Sequence, residues 1–160
     1  MKAISELMLG KISKTDFLQE NDIIHIEEVI EKGLETAYEK KDVENIENFL
    51  YLIFKFEVFN KEYVNILNKL LISDWHYKHE DIVTLLQKIS LEKSIKYLYD
   101  AIELHPEYLE WDDNYAFEVK CVRAIYHIGM EKSYSYLEEL CEHPNAVVRE
   151  MAQRQLKKLQ

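Results

Sequence analysis

The stretch "DWHYKHED" (74–81) sets His76 and His79 three residues apart and follows them with Glu80 and Asp81. On a helix, that spacing brings two imidazoles to one face, which is how many zinc sites begin. Zinc needs a third or fourth ligand, however, and the order is not the HExxH of a zinc protease. The plainer chemistry is capping of the next helix by Glu80 or Asp81 and gap filling by Trp75, with a partner-facing ridge as the alternative. A second stretch stands out by charge. Residues 97–119 carry Asp100, Glu103, Glu107, Glu110, Asp112, Asp113 and Glu118, no Lys or Arg, and the aromatics Tyr97, Tyr99, Tyr108, Trp111, Tyr115 and Phe117. Aromatic anchors inside an acidic rim suit rapid, steered binding of a basic protein. Their bland role is packing over helix ends. The candidate partner-binding residues are therefore Trp75, His76, His79, Glu80, Tyr108, Trp111, Asp112, Asp113 and Tyr115.

Enzyme signatures fail. GxGxxG, P-loop and GxSxG motifs do not occur. Cys121 and Cys141 have no CxxC spacing and fall on apolar helical stretches, so both read as core thiols. His25, His105, His127 and His143 are isolated in the sequence. The expectation is a non-enzymatic chain with no catalytic residue, cofactor or metal.

Charge narrows the partners. The 20 Lys and Arg against 30 Asp and Glu give a net charge of −10. Such a field repels nucleic acid and anionic membranes and attracts basic proteins. Arginine occurs only at 123, 149 and 154, too sparse for a duplex-binding groove. The longest uncharged apolar run, "NFLYLIF" (48–54), is far short of the roughly 20 residues of a membrane span, and Glu6 interrupts the apolar start. A cytoplasmic, monomeric protein is expected.

The elements that must position these residues are helices. Only 3 Gly and 2 Pro leave little room for sheet turns, and apolar residues recur at helical spacing almost throughout. The periodicity predicts helices over 22–40 with Asp22 as N-cap, 42–56 capped by Asp42, 60–72, 79–89, 91–104 ending before His105-Pro106, 114–128 from Asn114, 130–142 and 144–159. Gly129 is expected to close the 114–128 helix in a left-handed conformation. Two short helices are expected near 3–9 and 15–20. Nothing reads as a linker, so a single domain over 1–160 is expected.

One phrase is written twice. "LEKSIKYL" (91–98) returns as "MEKSYSYL" (130–137), and each copy heads a predicted helix pair. Helix pairs recurring at this interval are the mark of an α-solenoid. The first repeat is 39 residues long and the second 31, the extra residues falling at 106–113. "HPNAVVREMAQRQLKKL" (143–159) resembles the second helix of a HEAT repeat in Pro144, Val148-Arg149, Ala152 and Leu156, and "VKCVRAIYHIG" (119–129) resembles the same helix one repeat earlier. The resemblance is specific over 91–159 and diffuse over 22–90. It implies an all-α, right-handed superhelix of about four helix pairs. "WHYKHED" (75–81) and "YLEWDDNYAFEVK" (108–120) look like runs in small bacterial HEAT-like proteins, some of them similar to immunity proteins that neutralise a toxin. The resemblance implies a protein-binding module that occludes a basic partner. The alternatives are a structural adaptor or oligomeric subunit, which an apolar patch at the 22–56 end would favour, and a HEAT-like nucleic-acid enzyme, which the charge disfavours.

Overall fold

The computed structural model describes residues 2–104, 106–109 and 114–159, apart from the side chains of Met130 and Glu131. Among them every regular element is a helix. They fall into two compact units, Met1–Asn60 and Lys61–Gln160.

The first unit holds α1 (Lys2–Met8), α2 (Lys14–Glu20), α3 (Ile26–Lys40) and α4 (Val43–Phe56). Ser13 and Asp16 form a reciprocal capping box at the start of α2, and Asp42 caps α4 by accepting the Asn45 N–H at 3.1 Å. Helices α3 and α4 form a hairpin around Lys41-Asp42. Gly33, before the turn, faces Phe49, after it: a Cβ at 33 would lie 2.2 Å from the ring. The missing side chain makes room for the ring. Ile30, Leu34, Ile46, Leu50 and Ile53, the periodic apolar positions, are buried.

Asp22 does not cap α3, which starts at Ile26 with His25 before it. Its backbone is left-handed (φ 52°), and the next N–H, of Ile23, bonds Leu18 O at 2.9 Å. This closes α2, and Asp22 occupies the place glycine usually takes. Lys41 (φ 51°) and Glu57 (φ 57°) close α3 and α4 in the same way, with Asp42 N–H on Ala37 O and Val58 N–H on Ile53 O.

The second unit starts with a 3₁₀ turn, Lys61–Tyr63, leading into α5 (Val64–Leu71), then α6 (His79–Ile89). A 3₁₀ turn at Glu92–Ser94 leads into α7 (Ile95–Ile102), and a turn at Glu107–Leu109 precedes α8 (Ala116–Leu140) and α9 (Ala146–Leu156). Helix α8 packs on α6, α7 and α9. The predicted helices 114–128 and 130–142 are thus one helix of 25 residues. It begins after Tyr115, itself left-handed (φ 52°), and not at Asn114. Gly129 lies inside it, where the space a Cβ would need is taken. That atom would lie 2.1 Å from Ser133 Cβ and 3.3 Å from Ile95 Cδ1. A regular helix holds Cβ atoms four residues apart at about 5–6 Å, so the turn 129–133 closes up on this side, as glycine–serine pairs allow.

The doubled phrase lies side by side. Among the shared residues with described side chains, the environments match: Lys93 and Lys132 are exposed, Ser94 and Ser133 buried, Tyr97 and Tyr136 half-buried, Leu98 and Leu137 buried. Polar cross-links join positions separated by 40. Lys132 Nζ meets Glu92, Tyr99 O–H donates to Glu139 Oε2 at 3.0 Å, and His143 Nε2 lies 2.8 Å from Glu103 Oε1. Helix α7 and the end of α8 therefore run parallel and in register. Before α9, Asn145 accepts the Val147 and Val148 N–H groups, and the Arg149 guanidinium donates to the carbonyls of His143 and Pro144, both at 2.7 Å.

Candidate functional site

Helix α5 ends at Leu71, and Leu70 O accepts the Ser73 N–H at 2.9 Å. Leu70 O and Ser73 O, the latter just past the helix, are also met by imidazoles. His76 Nε2 lies 2.8 Å from Leu70 O, and the Lys78 N–H donates to its Nδ1 at 3.1 Å. Since Nδ1 accepts, the ring proton is on Nε2 and Leu70 receives it. His79 Nε2 lies 2.6 Å from Ser73 O, which fixes the same tautomer and leaves Nδ1 to accept the Tyr108 O–H at 3.0 Å. The Tyr108 oxygen in turn accepts the His79 backbone N–H at 3.2 Å. His79 is the first residue of α6, so one orphan N–H of that helix is capped by a hydroxyl 29 residues downstream.

The rings are stacked, with centroids 4.3 Å apart and planes at 21°. Exposures of 1% for His76 and 0% for His79 put them inside the unit, Phe117 of α8 lying edge-on to His79 at 5.8 Å. Burial, then the neighbouring His76, pulls His79 down to about 4. Burial lowers His76 as well. Both are neutral near pH 7, and all four ring nitrogens are engaged. Burial, with the Glu80 and Asp81 carboxylates adding to it, pushes the Tyr108 hydroxyl up to about 12, so it stays a donor.

This polar clamp fixes the connection between α5 and α6 and turns its other side chains outward. Tyr77 is 61% exposed and lies edge-on to Tyr108, with ring centroids 5.4 Å apart. Trp75 is half-buried, edge-on to His76 at 5.4 Å. Asp74 and Glu107 are exposed beside them in sequence, and Asp81 is half exposed, 3.9 Å from Lys78. Chemically, this is an aromatic shelf, Tyr77 against Tyr108 and Trp75 against His76, with carboxylates beside it in sequence.

Comparison with protein-family models, with curated proteins and with solved structures finds no match to this chain. The reading of the site therefore rests on its geometry.

Of the residues singled out in the sequence, the fold brings Trp75, His76, His79, Glu80 and Tyr108 together. His76 and His79 are enclosed instead of forming an outward ridge, because the end of α5 offers them carbonyls. Glu80 and Asp81 sit in the first turn of α6, where carboxylates suit the helix dipole, but neither makes a side-chain cap. Tyr115, half-buried, precedes α8. Trp111, Asp112 and Asp113 lie outside the described residues, as do Glu110 and His105. Tyr77 was missed: nothing in "WHYKH" marks which aromatic points out. Cys121 is a core thiol that burial pushes well up, whereas Cys141 is partly exposed. Among the described residues, no three His, Cys, Asp or Glu side chains converge as metal ligands, and no helix is long and apolar enough to cross a membrane.

The His76 geometry recurs. His143 accepts the Asn145 N–H on Nδ1 at 3.1 Å, as His76 accepts that of Lys78. In each case the histidine stands two residues before the N-cap of the following helix. The Nε2 of His143 meets the Glu103 carboxylate where that of His76 meets a carbonyl.

Proposed function

We propose that the chain is a non-enzymatic protein-binding module, a HEAT-like solenoid whose acidic, aromatic surface binds a basic protein in the cytoplasm as a monomer. The observation that carries this reading is the shelf of Trp75, Tyr77 and Tyr108 over the buried histidine pair. Its aromatics are pre-organised before any partner arrives, which lowers the ordering cost of binding, and carboxylates flank it in a chain of net charge −10. The in-register α7 and α8 copies and the Arg149 clamp ahead of α9 support HEAT-like stacking within the second unit; the right-handed superhelix of about four helix pairs is part of the proposal. A partner that is itself a basic toxin fits the resemblance to immunity proteins, since an acidic face imitates the phosphates a nuclease expects.

The test is capture from native lysate at low salt with the wild type and a Trp75→Ala/Tyr77→Ala variant. One basic protein should be retained, released by rising ionic strength, and lost with the variant while far-UV circular dichroism is unchanged. Capture indifferent to salt, or equal with the variant, refutes the proposal.

The adaptor or oligomeric-subunit reading is favoured by one feature. Ile24 is 87% exposed and Val29 39%, together lining a shallow concavity in the first unit. Sedimentation equilibrium separates the two: self-association at micromolar concentration that Ile24→Ser abolishes supports the second.

A further inference from the structure

Arginine is scarce in this chain, yet two of its three arginines line one concavity. It has a volume of about 540 Å³ and lies between α8 and the end of α9. Arg123 and His127, one turn apart on α8, face Arg154, Lys157 and Lys158 across it. We propose that this concavity is a binding site for a compact, multiply charged phosphate compound.

The basic residues at the end of α9 complement its dipole, but Arg123 and His127 belong to another helix. Among the described residues the side chains of Arg123 and Lys157 make no ion pair or hydrogen bond, and the ion pair to a lining residue is Arg154 to Glu150, 4.0 Å apart and exposed. So much uncompensated positive charge, in a chain with ten more acids than bases, calls for an anion. A second observation points the same way. Gln155, on the wall and 4% exposed, has its amide nitrogen 3.1 Å from Met151 Sδ, a weak acceptor that an anionic oxygen would improve upon. Lys158 is already positioned, its Nζ 5.3 Å from the Tyr126 ring centre and 3.1 Å from Gln155 Oε1.

Size and field select the ligand. The volume is that of a small-molecule site. A long nucleic acid would leave the groove and meet the overall negative field, whereas a compact polyphosphate keeps its charge within about one Debye length, ~10 Å, of the basic residues. The ligand is opposite in charge to the proposed protein partner, so either assignment can fail alone.

The experiment is calorimetric titration at low salt with tripolyphosphate and, separately, with a single-stranded oligonucleotide. Variants are Arg123→Gln and Lys157→Gln, with Lys61→Gln, an exposed lysine outside the groove, as control. Saturable one-to-one binding of tripolyphosphate is expected, weakened about tenfold by each groove variant, as for loss of one charge-assisted hydrogen bond, and unaffected by the control. Absence of saturable binding, equal weakening by Lys61→Gln, or tighter binding of the oligonucleotide than of tripolyphosphate overturns the proposal.

Discussion

Acid should unfold the second unit through His79. In the unfolded chain a histidine titrates near 6.5, while in the fold burial and His76 hold His79 at about 4. The folded state therefore favours the neutral ring. Above pH 6.5 neither state is protonated and the contribution is at its maximum. Between 6.5 and 4 the unfolded chain binds a proton that the folded one refuses, so stability falls as pH falls. At 1.36 kcal/mol per unit, the full window costs about 3 kcal/mol, and His76, lowered in the same direction, adds to the loss. Trp75 lies in the second unit and Trp111 within the same span of sequence, so urea unfolding followed by fluorescence reports on it. From pH 6 to 5 the wild type should lose roughly 1 kcal/mol more than His79→Gln, which removes the titrating group. In the NMR histidine spectrum, the His79 Cε1–H resonance should stay fixed until pH approaches 4. A midpoint at or above 6, or identical pH slopes for wild type and variant, would refute the clamp.

Other outcomes follow from the same contacts. Tyr108→Phe should cost the second unit about 2 kcal/mol in urea unfolding, since it orphans a buried N–H and a ring nitrogen while keeping the aromatic contacts; a loss below about 0.5 kcal/mol contradicts the capping role. Gly129→Ala should destabilise by about 2 kcal/mol or more in spite of alanine's ~1 kcal/mol helix advantage, because its Cβ would overlap Ser133. Glu57→Gly should raise the Tm of the first unit, followed by circular dichroism, with a gain of up to ~1 kcal/mol as the left-handed strain is relieved. In native protein one thiol, Cys141, should react with a disulfide reagent, and Cys121 only after unfolding.

Periodicity exposed the helices well, because burial follows the apolar stripe: Ile30, Leu34 and Ala37, or Ile46, Leu50 and Ile53, are where 3.6 residues per turn puts them. What the sequence hid is decided by neighbours in space. Gly129 looked like a helix end because glycine closes helices, and it sits mid-helix where Ser133 and Ile95 leave no room for a side chain. Asp22 looked like a helix start because aspartate caps, and it serves as a helix end because the backbone there turns left-handed without a glycine. No glycine or proline in "EVFNKEY" (57–63) marks the passage between the units. At the site, the histidines and Tyr108 were legible as types. Their pairing was not, since it needs the Leu70 and Ser73 carbonyls and a hydroxyl from a distant turn. The basic concavity was invisible because Arg123 and Arg154 are far apart along the chain and sparse arginine argued against any such cluster.

The constant separation of the α7–α8 cross-links makes helix phase a constraint on chain length. One residue inserted in α8 between Ala116 and Lys132 would turn all that follows by about 100° relative to what precedes. Lys132, Glu139 and His143 would then leave the face that meets Glu92, Tyr99 and Glu103. An insertion between Glu103 and Ala116 changes the phase of neither helix. Insertions and deletions should therefore be confined to that connection, which is where the two copies of the phrase already differ in length.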